Sequence, residues 1–303
     1  MKANLKNLLV PFDFNEASEL ALRNACSIAK RIDGKIHLLF VIIKQDFISE
    51  LLGKNDDLVA LTQKVKQQLM ERAKKATDEY GIEIETVVRK GKVYEEILKM
   101  GREIEARFIV LGDNHSKDKE MKVLGSNATR IVSRATCPVL TVKNEPSDFK
   151  KILVSLDLGT ETRKQLFATI AFGLHWKADI DLVSVVMGGI SIKNSRIYRK
   201  MKRVKKTLIE NHVHATTSIY KRSNEPAYKR VLEHAAESGA DVILIMTHEE
   251  KRSDNYIGAF AHNIINQSTI PVISLTSVSA DTDTDIVMKD IIDPFRIIFR
   301  NDK

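Results

Sequence analysis

Hydrophobic positions along this chain fall into short continuous runs, separated by longer stretches in which apolar residues recur at helical spacing. Asn7 to Phe12 (NLLVPF), Lys35 to Ile43 (KIHLLFVII) and Phe108 to Leu111 are compact apolar runs, the mark of strands covered on both faces. Ile82 to Arg89 alternates and predicts a further strand. Between these runs, Glu16 to Arg31 places Leu20, Ala21, Ala25, Ile28 and Ala29 on one face, and Asp33-Gly34 closes that helix with a turn. Leu58 to Tyr80 predicts a long helix stopped by Gly81, and Val93 to Glu105 another. After Leu111 come Gly112, a polar loop to Lys122, a helix opened by Gly125-Ser126-Asn127, and Pro138 leading into a strand from Val139 to Val142. A strand–helix alternation of this kind demands a parallel sheet with helices on both faces.

The pattern then begins again. KKILVSLDLG, from Lys150, follows the pattern of NLLVPFDFNE, from Asn7, so that Asp157 lies 144 residues after Asp13 and Val185 lies 144 after Val41. ADVILIM, ending at Met246, matches ARFIVLG, ending at Gly112, at a distance of 134, and Pro271 follows Pro138 by 133. The shrinking offset predicts a second copy about ten residues shorter between its second and third strands, and a duplication of a whole domain rather than a solenoid. The predicted organisation is a domain over residues 1–145, a second over 146–276, and a tail over 277–303. In the tail a polar SADTDTD linker precedes IVMKDIIDPFRIIF, apolar enough to need a surface and broken at Asp293-Pro294.

Composition narrows the class. The chain has 303 residues, 43% hydrophobic and 29% charged, as globular domains do. It lacks an 18-residue apolar run and a signal-peptide pattern at MKANLKNLLVPFDF, so neither a membrane span nor export is expected. Cys26 and Cys137 stand far apart, which fits a reducing cytoplasm and argues against a disulfide framework or zinc. The net charge of +8 permits a polyanionic partner without requiring one. Lys193 to Lys206 (KNSRIYRKMKRVKK) predicts a basic helix whose stripe of Ile197, Met201, Val204 and Leu208 docks on the protein; its basic face is read as solvated, the sharper alternative being an anionic contact. His212 and His214 alternate on a predicted strand and face one side, but without further ligands they predict no metal site.

The chemistry concentrates around Gly112. Strand, glycine, polar loop and Gly-Ser at a helix start form a backbone cradle for phosphate: glycines admit close approach, and free N–H groups of the first helical turn point at an anion. Gly112 is followed after two residues by His115, and nine residues later by Gly125-Ser126. This segment resembles the universal stress protein family, which carries G-x2-G-x9-G-[ST] here, with His115 in place of the second glycine. The order of signals in both copies, over about residues 3 to 276, is similar to that of a tandem member of the family.

The resemblance implies an α/β fold of two repeated Rossmann-like domains of the adenine nucleotide alpha hydrolase-like kind. Each would be a five-stranded parallel sheet of order 3-2-1-4-5, with a nucleotide at the carboxyl ends of strands 1 and 4, the topological switch point. It implies ATP or a related adenine nucleotide, accompanied by Mg, in the N-terminal domain of a stress-response protein that signals or protects. The residues that match are Asp13 for ribose or adenine, Pro11 and Val41 for the base pocket, and Gly112, Asn114, His115, Gly125, Ser126 and Asn127 for the phosphates. The second copy departs from the pattern: Met246 stands for Gly112, Glu249 for His115 and Ala259 for Ser126, while Gly258 persists. A second domain that is weak or empty for ATP, with a structural role, is expected.

The family also implies pairing of the two domains through Val139 to Val142 and Val272 to Leu275, which would cover sheet edges; it leaves open a homodimer and an unknown protein partner, and gives no specific nucleic-acid or membrane contact. The alternative function is an interaction scaffold without ligand. An enzyme on the same fold is a third reading, but S-G-G-x-D and H-x-G-H motifs, a Walker A sequence and a metal carboxylate pair are all missing from the sequence. No catalytic residue is assigned, and slow ATP hydrolysis is the most that is expected.

Overall fold

The computed structural model describes residues 6–43, 55–113, 125–156, 162–186, 196–221, 224–247 and 257–276. Asn114, His115, Asp157, His248, Glu249, Glu250 and the tail from Ser277 lie outside the described residues. The chain divides into two compact units between Pro146 and Ser147.

The first unit runs β1 (Asn7–Pro11), α1 (Glu16–Ile32), β2 (Lys35–Ile43), α2 (Asn55–Tyr80), β3 (Ile84–Gly91), α3 (Val93–Glu103), β4 (Phe108–Gly112), α4 (Ser126–Arg134) and β5 (Val139–Val142). Its strands are all parallel, in the order β3-β2-β1-β4-β5. Helices α1 and α2 touch each other, as do α3 and α4, so each pair covers one face. With both faces covered, a strand has no solvated side, and Leu8, Leu9 and Val10 are all fully buried. Asn15 caps α1, and Asp33, at φ 52°, ends it in the left-handed conformation.

The second unit repeats the plan with β6 (Lys151–Ser155), α5 (Thr162–Trp176), β7 (Asp179–Val186), α6 (Arg196–Glu210), β8 (Ala215–Lys221), α7 (Ala227–Ser238), β9 (Val242–Thr247), α8 (Ala259–Gln267) and β10 (Val272–Thr276). Its sheet is again parallel, in the order β10-β9-β6-β7-β8, which is 3-2-1-4-5 read from the other edge. The fold is therefore α/β, with each unit wound as expected.

Some expectations change. Helix α2 begins at Asn55 rather than Leu58, β3 at Ile84 rather than Ile82, and α3 ends at Glu103 rather than Glu105. At this last point Glu105 turns the chain with φ 49°, and the Ala106 N–H bonds back to the Gly101 carbonyl at 2.8 Å. His212 and His214 precede β8 instead of lying on it. His212 is in a turn at φ 61°, and His214 Nδ1 lies 3.0 Å from Asp179 Oδ1, so the two imidazoles are not a same-face pair.

Candidate functional site

Strand β1 pairs with β2 on one side and β4 on the other, so the chain leaves the sheet in opposite directions from the tops of β1 and β4. Side chains at those two carboxyl ends line a crevice by topology alone. Pro11 ends β1, and Asp13 follows it, exposed. Asp13 is not the cap of α1. Asn15 Oδ1 accepts the Ser18 N–H at 2.7 Å, while Asn15 donates its side-chain amide to Asp13 Oδ2 at 2.8 Å. Capping therefore leaves the Asp13 carboxylate with accepting capacity toward solvent, held in place by its neighbour.

The two glycines of the cradle are glycines for different reasons. At Gly112 an added Cβ would fall 1.8 Å from the Ala17 carbonyl oxygen and 2.3 Å from its carbon. The first turn of α1 thus lies against the end of β4 with no room for a side chain, whatever is bound. Replacing Gly112 by valine is consequently no clean test of ligand binding, since it would displace α1. At Gly125, φ is −56° and ψ 153°, a conformation any residue adopts, and among the described residues a Cβ would meet nothing within 4 Å. Among the described residues, neither packing nor backbone geometry demands a glycine here.

Gly125 is also the residue that precedes the first turn of α4, and it has no side chain to cap it. The N–H groups of Ser126, Asn127 and Ala128 have no intrahelical acceptor. The first turn contains no acid, and Gly125, Ser126 and Asn127 are all exposed. Ser126 is the first helical residue rather than the cap, so its hydroxyl is not committed to capping. Among the described residues the result is an uncapped helix start, favourable to an anion, at the carboxyl edge of the sheet. Asn114 and His115, the other two predicted phosphate residues, lie outside the described residues. Val41 sits in β2 opposite Arg89 of β3, half-buried.

Three features here escaped the sequence analysis. Phe14, just after Asp13, is exposed in a left-handed conformation at φ 66°, its ring 5.1 Å from Phe12 and 5.7 Å from Phe40. A non-glycine residue in that region stores strain on the order of 1–3 kcal/mol. Beyond Gly112, Asp113 forms an ion pair with Lys143 at 3.2 Å, with both side chains almost fully buried. This pair ties the chain leaving β4 to the chain leaving β5. The third feature is in the second unit, where His234 Nε2 lies 2.8 Å from the buried Asp181 Oδ2 and Tyr220 OH lies 2.8 Å from His234 Nδ1. Thr216 donates to Asp181 Oδ1 at 2.9 Å, which satisfies the carboxylate inside the unit.

The second unit's equivalent of the crevice is built differently. Met246, where the repeat places Gly112, is buried in β9. Thr247 and Thr276, paired in register, occupy the positions of Asp113 and Lys143. Gly258 begins α8 as Gly125 begins α4, but at φ 78°, where a glycine is required by the backbone alone. Ala259 and Phe260 then stand for Ser126 and Asn127, with no polar side chain to offer an anion.

Comparison with known proteins adds the following. The model of the universal stress protein family matches residues 4–143. Universal stress protein MJ0531 of Methanocaldococcus jannaschii is 30% identical over 139 residues, spanning 46% of this chain and 82% of that protein. Universal stress protein G of Salmonella typhimurium is 32% identical over 143 residues, spanning 46% of this chain and 99% of its own length. The crystal structure of a universal stress protein from Archaeoglobus fulgidus superposes with a TM-score of 0.74 at 18% identity, covering 91% of this chain and 99% of that one, a likeness of fold.

Proposed function

Because the chain belongs to the universal stress protein family, we propose that its first unit binds ATP or a related adenine nucleotide, and that it works as a nucleotide-dependent signalling or protective module in the stress response. The observation that carries the reading is Gly125. Among the described residues it is a glycine that neither packing nor backbone requires, at the start of a helix without a side-chain cap, on the crevice between β1 and β4. A Cβ there would stand next to three N–H groups that have no acceptor within the helix, where an anion would be held.

In this reading the Ser126 and Asn127 N–H groups and side chains hold the phosphates, and the family pattern adds Asn114 and His115, which lie outside the described residues. Asp13 accepts a hydrogen bond from ribose or adenine, and Pro11 and Val41 line the base pocket. A Mg ion bound with the nucleotide would neutralise part of its charge. The second unit, with Met246 and Ala259 in place of Gly112 and Ser126, holds no nucleotide and serves the first unit structurally.

Purified protein precipitated with acid should release an adenine nucleotide, or else take up added ATP with a rise in melting temperature. Nucleotide at 100 times its dissociation constant should add about 2.7 kcal/mol to the stability of the unit that binds it. Protein that releases no nucleotide and melts at an unchanged temperature in millimolar ATP would contradict the proposal.

A further inference from the structure

Helix α6 has a charge distribution that its place in the fold does not explain. It reads RIYRKMKRVKKTLIE, seven basic residues and one acid. Met201, Val204 and Leu208 are buried and supply the stripe that packs it against β7, β8 and α5. The opposite side, including Arg199, Lys200, Lys202, Arg203 and Lys206, is exposed.

The duplication provides an internal control. Helix α2 occupies the same slot in the first unit, between the second and third strands, and it packs on its sheet by the same kind of stripe, through Val65, Leu69, Ala73 and Ala76. Its 26 residues carry five basic and five acidic side chains. The slot therefore needs the apolar stripe and tolerates a neutral outer face. Within residues 147–276 the basic and acidic side chains outside α6 balance at twelve each, so the whole excess positive charge of that stretch sits on this one helix. Local stability does not favour it either. Arg199 with Arg203 and Lys202 with Lys206 are like charges one helical turn apart, which weaken a helix. Lys206 has an acidic neighbour, Glu210, at 3.6 Å.

We infer that the outer face of α6 is a docking surface for the phosphate backbone of nucleic acid, bound without regard to base sequence. Fifteen residues make a rod about 22 Å long. Duplex DNA presents one negative charge per ~1.7 Å of its axis, so a rod of that length spans a row of phosphates matched to long, flexible cationic side chains. A bilayer fits less well. A helix that lies on a membrane buries its apolar stripe among the lipids, and the stripe of α6 is already used inside the unit. Tyr198 and Ile209 are exposed near its two ends and do not form a continuous apolar face.

The test is fluorescence anisotropy of a labelled mixed-sequence 20-base-pair duplex, titrated with the full chain at several salt concentrations. Wild type should bind with a dissociation constant of about 10–100 µM near physiological salt, weakening steeply as salt rises. The triple variant R199Q/K202Q/R203Q should reduce the log–log salt slope by about three. The variant K64Q/K66Q/K74Q, which removes the same charge from exposed positions of α2, should change it by less than one. Circular dichroism melts of both variants should match wild type. Absence of wild-type binding at low salt would overturn the inference, and so would equal losses from the two variants, which would reduce the effect to net charge. Binding to phosphatidylglycerol vesicles that depends on α6, without binding to the duplex, would also overturn it by making a lipid surface the partner.

Discussion

The starts of α4 and α8 are the same place in two copies of one domain, and both keep a glycine. In the first unit Gly125 has an ordinary φ of −56°, and among the described residues nothing stands near its missing side chain. In the second, Gly258 has φ 78° and needs to be glycine to make the turn. At the end of β4, Gly112 has the Ala17 backbone pressed against it, while its counterpart Met246 carries a buried side chain. The comparison teaches that a retained glycine is not in itself the trace of a ligand. Gly112 and Gly258 are held by packing and backbone geometry respectively. Among the described residues neither demand applies to Gly125, and the anion proposed above is the reason offered for it.

The comparison can be broken or sharpened by mutation, with the largest effect at Gly112. Its replacement by valine should lower the stability of the first unit by about 4 kcal/mol or more, with or without nucleotide, because the Ala17 backbone cannot yield as a side chain would. A chemical-denaturation midpoint close to wild type would show that α1 is not pinned there. Next comes the Asp113–Lys143 pair. Lys143→Thr alone should cost about 3–5 kcal/mol by stranding a buried carboxylate, whereas the double change to the second unit's Thr247 and Thr276 pattern, Asp113→Thr with Lys143→Thr, should be nearly neutral. A double variant as unstable as the single would mean the ion pair itself holds the two strand ends.

Smaller effects separate the two helix starts. Gly258→Ala should cost about 1–2 kcal/mol because a Cβ is strained at its φ, while Gly125→Ala should change stability by less than about 0.5 kcal/mol. The smallest effect concerns pH. His37 in β2 has its pKa lowered, first by burial and against the pull of Glu85. The unfolded chain therefore takes up a proton at His37 before the folded one does. The first unit loses stability as pH falls through the ordinary imidazole value of about 6.5, and the loss levels off below the depressed folded value. His37→Leu should flatten this limb between pH 7 and 5 in acid-titrated melts, and an unchanged slope would place the titration elsewhere.

The sheet was legible in the sequence because a strand covered on both faces leaves a continuous apolar run, as in NLLVP and VILIM, and because the duplication states the pattern twice. The location of the candidate site was legible from strand, glycine and Gly-Ser, though the reasons behind the glycines were not. Gly112 meets Ala17, a residue 95 positions earlier, and no local pattern announces that contact. Asp13 and Asn15 are both residue types that cap helices, and only the hydrogen bonds show that Asn15 has the task. The buried pair of Asp113 and Lys143, and the chain from Asp181 through His234 to Tyr220, join side chains from separate elements. His212 and His214 misled because a spacing of two resembles a strand, whereas a positive φ at His212 makes it a turn.

The central claim is that one of the two units holds a nucleotide at a helix start left bare for it. Calorimetric titration with MgATP of wild type and of Gly125→Val tests it most directly. Wild type should saturate at one nucleotide per chain, and Gly125→Val should lose at least about tenfold in affinity, roughly 1.4 kcal/mol, with its melting temperature unchanged. Two nucleotides per chain, none, or a Gly125→Val variant that binds as wild type does would contradict it.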